Sequence, residues 1–367
     1  MRARELNIST FRNIENEKIT FSPSITFLQG DNAQGKTNAL EALYLFARGK
    51  SFRGAKDAEL CSFDKEGYSL SLSYEKEDRE ESLSVTVRGR EKERRRNGIL
   101  LTKQSEMVGS FRAVLFCPDH LQMVKGAPTE RRKFLDIAIS QCYPVYLSIY
   151  SQYIKNLEER NALLRAAQKG IYYDEQMIAV YSERLASLAA EIYFYRLTYL
   201  EKIKDCAKEV VKELSSGREG LSLFYRSDMG EEPLSKKEAA EKYRAVFEKD
   251  LLRERAAGMT LFGVQKDELG IYLGGIFAKD YGSQGQQRSI VLALKMAEGI
   301  VAGEICGERP VYLFDDVLSE LDEGRRRFLL SGMKDCQFIV TGCERSVLGE
   351  IGKNVKVIAV KNGKFTE

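Results

Sequence analysis

The sequence predicts an α/β protein: a phosphate-binding lobe with a mixed sheet assembled from both ends of the chain, interrupted by an inserted α-helical arm without a long coiled coil. Three observations carry this expectation. Gly30-Asp31-Asn32-Ala33-Gln34-Gly35-Lys36-Thr37 meets the G-x-x-x-x-G-K-[ST] pattern. Val311-Tyr312-Leu313-Phe314 is an apolar run ending in Asp315-Asp316, the form of a buried parallel strand whose C-terminal end faces a ligand crevice. Between the two, a long stretch after Pro118 has helical periodicity.

The loop has the flanks its pattern requires. Ile25-Thr26-Phe27-Leu28 reads as a buried strand, and the run from Asn38 to Phe46 as a helix. Glycines let backbone N–H groups turn inward around phosphate oxygens, and the following helix adds its positive end. Lys36 would reach the β- and γ-phosphates of a bound triphosphate, and the Thr37 hydroxyl would hold Mg²⁺.

In chain order, Glu5–Phe11 and Lys18–Phe21 read as strands leading to the loop strand, with Phe11-Arg12-Asn13-Ile14 at their junction. After the first helix and Phe52-Arg53, Tyr68–Glu75 and Ser82–Arg88 alternate as a half-buried antiparallel pair around a charged tip at Lys76–Glu81. Arg88 to Gly98 is strongly basic, holds Arg94, Arg95 and Arg96, and ends in the hairpin signal Asn97-Gly98. It reads equally as a phosphate-contacting loop and as a solvated edge that blocks sheet pairing.

From Pro118 the character changes. Helices are expected from Thr129, over Val145–Lys169 and over Asp174–Ser215, the last about 60 Å long at 1.5 Å per residue. Ile178, Tyr181, Leu185, Leu188 and Ile192 fall at helical spacing, so one face is buried. Lys236–Arg255 reads as one further helix, and short strands return at Met259–Phe262 and Leu269–Leu273. The expected division is 1–117 for the first part of the phosphate-binding lobe, 118–255 for the arm and 256–367 for the rest of the lobe.

Bulk properties narrow the class. Charged residues make up 30% of the chain but the net charge is only +3, so any nucleic-acid contact must come from local clusters. Seven scattered cysteines with no C-x-x-C pair fit a reducing compartment. His120 is the one histidine, which argues against His-rich metal sites and a catalytic histidine. No apolar run approaches a membrane span, and the expectation is a soluble, cytoplasmic protein.

The carboxylates complete a site. Asp315 is placed to bind Mg²⁺ directly or through water, and Asp316 to orient or deprotonate the attacking water. Ser283-Gln284-Gly285-Gln286-Gln287-Arg288 opens a helix over Ser289–Ile305, a serine and a glycine at a positive helix end.

Gly30 to Asn38, Pro118 to Asp136, Ser283 to Arg288 and Leu313 to Asp322, in this order around a helical insertion, resemble the ABC-type ATPase heads of the SMC and DNA-repair branch. Within that branch the chain is similar to the RecF family over nearly its whole length. The resemblance implies ATP and Mg²⁺ as cofactors and an ATP-dependent homodimer. It also implies binding of DNA at gaps and double-strand to single-strand junctions, and action with RecR and RecO to promote RecA loading. Asn38 extends the phosphate loop, and Gln122 is the candidate Q-loop glutamine. Ser283, Gly285 and Gln286 become the signature that touches the γ-phosphate of the opposite protomer, with Ser319 to Asp322 along the dimer seam.

Two positions depart from the family pattern. Gln265 in Gly263-Val264-Gln265-Lys266-Asp267 stands where a histidine is common, and the switch position falls near Thr341. A threonine there, and aspartate at 316, point to slow hydrolysis: a nucleotide switch and weak DNA-dependent ATPase. DNA phosphates would lie on Arg131, Arg132 and Lys133 or on Arg94 to Arg96, with Arg325 to Arg327 a third option. Rival readings are a transporter-type ATPase subunit, against which the helical insertion stands, and an ATP-binding scaffold without turnover.

Overall fold

The computed structural model describes residues 1–230, 233–332 and 335–367. Strands β1 (Arg2–Phe11) and β2 (Ile14–Thr20) form a hairpin, and β3 (Ile25–Gln29) leads into the phosphate loop and helix α1 (Lys36–Arg48). A short α2 (Asp57–Leu60) precedes β4 (Gly67–Lys76), β5 (Arg79–Arg88), β6 (Glu91–Arg96) and β7 (Ile99–Leu100). These give a six-stranded antiparallel sheet in the order β2-β1-β4-β5-β6-β7. The basic stretch is therefore largely the strand β6 rather than a loop, with Asn97-Gly98 turning into the two-residue edge strand β7.

After β8 (Ala113–Phe116) and the short α3 (Gln122–Lys125) come α4 (Pro128–Cys142), α5 (Pro144–Gln168) and α6 (Glu175–Leu214). Asp174 caps α6 by accepting the Met177 N–H at 2.9 Å, which fixes where this 40-residue helix begins. Next follow β9 (Leu221–Arg226), α7 (Lys236–Lys249) and α8 (Leu251–Ala257). The single helix expected over 236–255 is broken at Asp250, which ends α7 and starts α8. The strand expected at Met259–Phe262 is irregular backbone: the Thr260 N–H is held by the Asn161 side chain and the Leu261 N–H by Glu254, so no ladder partner is needed.

The remainder comprises β10 (Glu268–Leu273), β11 (Ile276–Phe277), α9 (Ala278–Tyr281), α10 (Gln284–Cys306), β12 (Val311–Asp315), α11 (Glu323–Gly332), β13 (Phe338–Gly342), β14 (Val355–Lys361) and β15 (Lys364–Thr366). A six-stranded sheet in the order β15-β14-β3-β13-β12-β8 draws β3 and β8 from the start of the chain and the rest from its end. All its pairings are parallel except β14 with β15. A third sheet, β11-β10-β9, pairs a strand lying beyond α6 with one beyond α8.

Period-two alternation explains why the parallel sheet has a core on each face. Leu28, Leu115, Val311, Leu313 and Ile339 face α1 and the antiparallel sheet. Phe27, Phe116, Tyr312, Phe314 and Val340 face α4, α6 and α10. On that second face the Phe116 and Phe314 rings stack at 4.5 Å. The two-sided burial holds the C-terminal ends of β3, β12 and β13 side by side, where the site forms. No described helix is long and apolar enough to cross a membrane.

Candidate nucleotide-binding site

The loop between β3 and α1 turns sharply because two of its residues adopt left-handed backbone: Ala33 at φ 64° and Gly35 at φ 118°. Gly30 is required for a different reason, since a Cβ there would lie 2.3 Å from the Val360 carbonyl oxygen of β14. The Lys36 ammonium bonds the carbonyls of Gly30 and Asp31 at 2.5 and 2.8 Å. It is thereby held across the mouth of the loop.

Opposite lies the acidic end of β12. The Thr37 hydroxyl donates to Asp315 Oδ1 at 2.7 Å, and the Thr341 hydroxyl donates to the same oxygen at 3.1 Å. Burial raises the Asp315 carboxyl above the ordinary range and the neighbouring Asp316 charge adds to this, while the two hydroxyl bonds counter them. A hydroxyl and a carboxylate oxygen converging in this way are hard donors suited to Mg²⁺. Thr37 and Asp315 therefore fit the ion that such a loop requires.

Asp316 sits at φ 54°, a left-handed conformation that aspartate tolerates and that turns the chain sharply at the strand end. Its N–H donates to Thr341 Oγ1 at 3.0 Å. Thr341, near the expected switch position, is thus a buried hydroxyl on β13 that bonds both aspartates.

A cleft of about 780 Å³ is lined by Asn32 to Asn38, Asp316 and Thr341. Arg12, Asn13, Arg53 and Phe63 line it as well, and sequence reading assigned none of them a role. Arg12 donates Nε and one Nη to the fully buried Glu41 of α1, both at 3.0 Å, and Arg53 lies 3.8 Å from the same carboxylate. Arg53 also bonds the Asn38 side chain at 3.1 Å, and Asn38 bonds Asn13 at 2.8 Å. The β14–β15 turn closes the far side, where the Gly363 N–H reaches the Gln34 carbonyl at 2.8 Å.

The remaining candidates lie elsewhere. Gln122 lines an adjoining cavity of about 300 Å³ beside α1 and α4, which shares Arg53 with the main cleft. Ser283 is exposed as the cap of α10; its hydroxyl accepts the Gln286 N–H at 3.2 Å and its own N–H donates to Gln286 Oε1 at 2.8 Å. Gly285 offers its carbonyl to Arg325 at 3.2 Å, and Gln286 also bonds Glu219 at 2.9 Å. None of these three lines the phosphate-loop cleft of its own chain.

The basic clusters divide by burial. Arg131 is only 2% exposed and is not a surface cation. It makes a bidentate pair with Glu268 at 2.6 and 3.1 Å and donates to the carbonyls of Met123, Val124 and Gly126, which clamps the end of α3 to β10. Arg132 donates to the Asp267 carbonyl at 2.6 Å, and Lys133 is exposed beside Glu130. On β6, Arg96 pairs with Glu81 and Arg95 with Glu93, while Arg94 is half-buried. Arg325 ties the start of α11 to Ser289 and Gly285 of α10, and Arg327 pairs with Glu323 of its own helix. Gln265 accepts the Tyr153 hydroxyl and donates to the Phe262 carbonyl at 2.6 Å, away from the cleft.

A parallel sheet carrying this loop and an Asp-Asp strand end, with a helical insertion between, defines a P-loop ATPase of the SMC-head type. Residues 3–366 match the family model for the RecF/RecN/SMC N-terminal domain. The chain is 37% identical to the DNA replication and repair protein RecF of Exiguobacterium over 99% of this chain and 98% of that one. It is 35% identical to the RecF of Clostridium acetobutylicum over the whole of both chains.

The chain belongs to the RecF family. A solved RecF, described as the recombination mediator protein with ATPrS in the RecFOR pathway, superposes with a TM-score of 0.92 at 31% identity, covering 99% of this chain and 97% of that one. An Smc head domain from Pyrococcus furiosus shares the fold at a TM-score of 0.57 and 17% identity, covering 100% and 95%.

Proposed function

We propose that this protein is an ATP-dependent recombination mediator in DNA repair and replication, working as a nucleotide-gated dimer. The observation that carries the reading is the meeting of Thr37 and Asp315, 278 residues apart in sequence, at the wall of the cleft that the phosphate loop lines. Support for ATP comes also from the family's solved members, described as RecF with ATP and with ATPrS. Residues 1–117 and 256–367 act together as the nucleotide-binding lobe, and 118–255 as the arm.

Lys36 and the loop N–H groups bind the β- and γ-phosphate oxygens, and Asp316 orients or deprotonates the attacking water. Thr37 and Asp315 hold Mg²⁺, which when bound neutralises phosphate charge. Ser283 is exposed at the start of α10 with Gly285 and Gln286 half-buried beside it, so a second copy can present this turn to a γ-phosphate this chain leaves open. Dimer affinity then carries the difference in affinity between ATP and ADP, and slow hydrolysis removes it. DNA at gaps or duplex to single-strand junctions lies on exposed cations such as Lys133 and Arg95, and RecR and RecO act with the dimer to load RecA.

Sedimentation with ATP, with ADP and without nucleotide tests the scheme. Wild type is expected to dimerise only with ATP, and Lys36→Met to stay monomeric. A dimer indifferent to nucleotide would overturn it.

A further inference from the structure

Phe63 is the most exposed of the large apolar side chains among the described residues, at 95%. Single exposed apolar side chains are common on protein surfaces, so what distinguishes this ring is where it stands. Its surroundings are specific. Phe63 lines the same cleft as Lys36 and Thr37, and it is the one aromatic ring in a lining otherwise composed mainly of polar side chains.

The backbone holds that ring in place. Residues 61 to 65 are tied to the end of β1: Cys61 bridges to Phe11, and the Ser62 N–H bonds the Thr10 carbonyl at 2.9 Å. The Lys65 N–H then bonds the Ser62 carbonyl at 3.1 Å, closing a turn in which Asp64 is left-handed at φ 59°. Phe63 occupies the second position of this turn and cannot retreat to the core without breaking it. In the same lining, Arg12 is locked by Glu41 and by the Glu59 carbonyl at 2.9 Å, so this part of the wall is also fixed.

A nucleoside triphosphate has one charged end and one flat aromatic end. The phosphate loop answers the first and leaves the second without a partner. We propose that Phe63 is the stacking platform for the base of the bound nucleotide, making this end of the cleft selective for purines over pyrimidines by ring area rather than by hydrogen-bond pattern. The proposal rests on the nucleotide reading above. Stacking of a base on an aromatic side chain is tolerant of base identity because every base has a π-face, and larger ring systems cover more of the phenyl.

The chain contains no tryptophan, so Phe63→Trp introduces a single indole that reports contact directly. At a protein concentration where sedimentation shows monomer, ATP and GTP are expected to quench this indole strongly, CTP and UTP weakly, and inorganic tripolyphosphate not at all. Phe63→Ala should lose about tenfold or more in ATP affinity by calorimetry while binding tripolyphosphate like wild type. Equal ATP affinity of wild type and Phe63→Ala, or quenching that appears only with dimer formation, would overturn the stacking role and leave the nucleotide site standing. Failure of wild type to bind either ATP or tripolyphosphate would remove the nucleotide reading itself, and the platform with it.

Discussion

Thr37 and Asp315 meet at 2.7 Å, hydroxyl to carboxylate, across the gap between the first turn of α1 and the end of β12. This bond joins the two halves of the chain at the point where the phosphate loop needs an ion. Thr37→Val removes the oxygen while keeping the shape. It is expected to weaken Mg²⁺-dependent ATP binding by about tenfold or more, measured by calorimetry with and without Mg²⁺, because the ion site loses one of its hard oxygen donors while Thr341 still donates to Asp315. Thr37→Ser should restore most of the affinity.

In the proposed mechanism Asp316 serves chemistry rather than binding. Asp316→Asn is expected to lower phosphate release by about a hundredfold with ATP affinity little changed. Equal release from both proteins would remove Asp316 from the reaction and favour a scaffold that binds ATP without turnover.

Asp267 provides a pH test away from the cleft. Burial pushes its carboxyl up to about 6, against the opposing pull of Arg196 and the Tyr225 hydroxyl, with Asp228 adding to the rise. Between its ordinary value of 3.8 and about 6 the folded chain therefore holds more protons than the unfolded chain, and this group's contribution to stability falls as pH rises. Asp267→Asn keeps an acceptor for Tyr225 and removes the charge. Its urea stability relative to wild type should improve between pH 4 and pH 7, by at most about 3 kcal/mol. A difference independent of pH would refute this.

Arg160 and Glu254 form a fully buried ion pair at 2.7 Å that joins α5 to α8. Arg160 also bonds Ser182 at 2.9 Å and Thr260 at 2.8 Å, and lies over the Phe247 ring. Arg160→Met alone is expected to cost roughly 3–5 kcal/mol by leaving a buried charge unpaired. The double variant with Glu254→Leu should recover much of that loss, so the two effects will not add. Chemical denaturation of the four proteins measures this.

The candidate DNA contacts can be separated in the same way. Arg131→Gln should lower melting temperature sharply, because Arg131 holds α3 to β10. Lys133→Gln and Arg95→Gln should leave stability nearly unchanged; each that touches a phosphate will lower the salt slope of DNA binding by about one.

What the sequence revealed follows from how local each signal is. The phosphate loop, the capped start of α10 and the Asp-Asp strand end are each a few neighbouring residues, and their patterns could be read directly. Alternation in β4 and β5 was legible for the same reason. The fate of Arg131 was not, because its partner Glu268 lies 137 residues away and a basic cluster looks alike whether buried or exposed. Arg12, Arg53 and Phe63 were missed in the cleft because they arrive from a hairpin turn and from loops whose position depends on strand register. The break at Asp250 had no glycine or proline to mark it.

The turn at Asn362-Gly363 has a temporal consequence. The Gln34 carbonyl accepts the Gly363 N–H and the Gln34 side-chain Oε1 accepts the Asn362 N–H, a contact that spans 328 residues. The phosphate loop leaves the ribosome 328 residues before this turn, so during synthesis the loop at first lacks one of its walls. Tight ATP capture is therefore expected only once the turn has emerged.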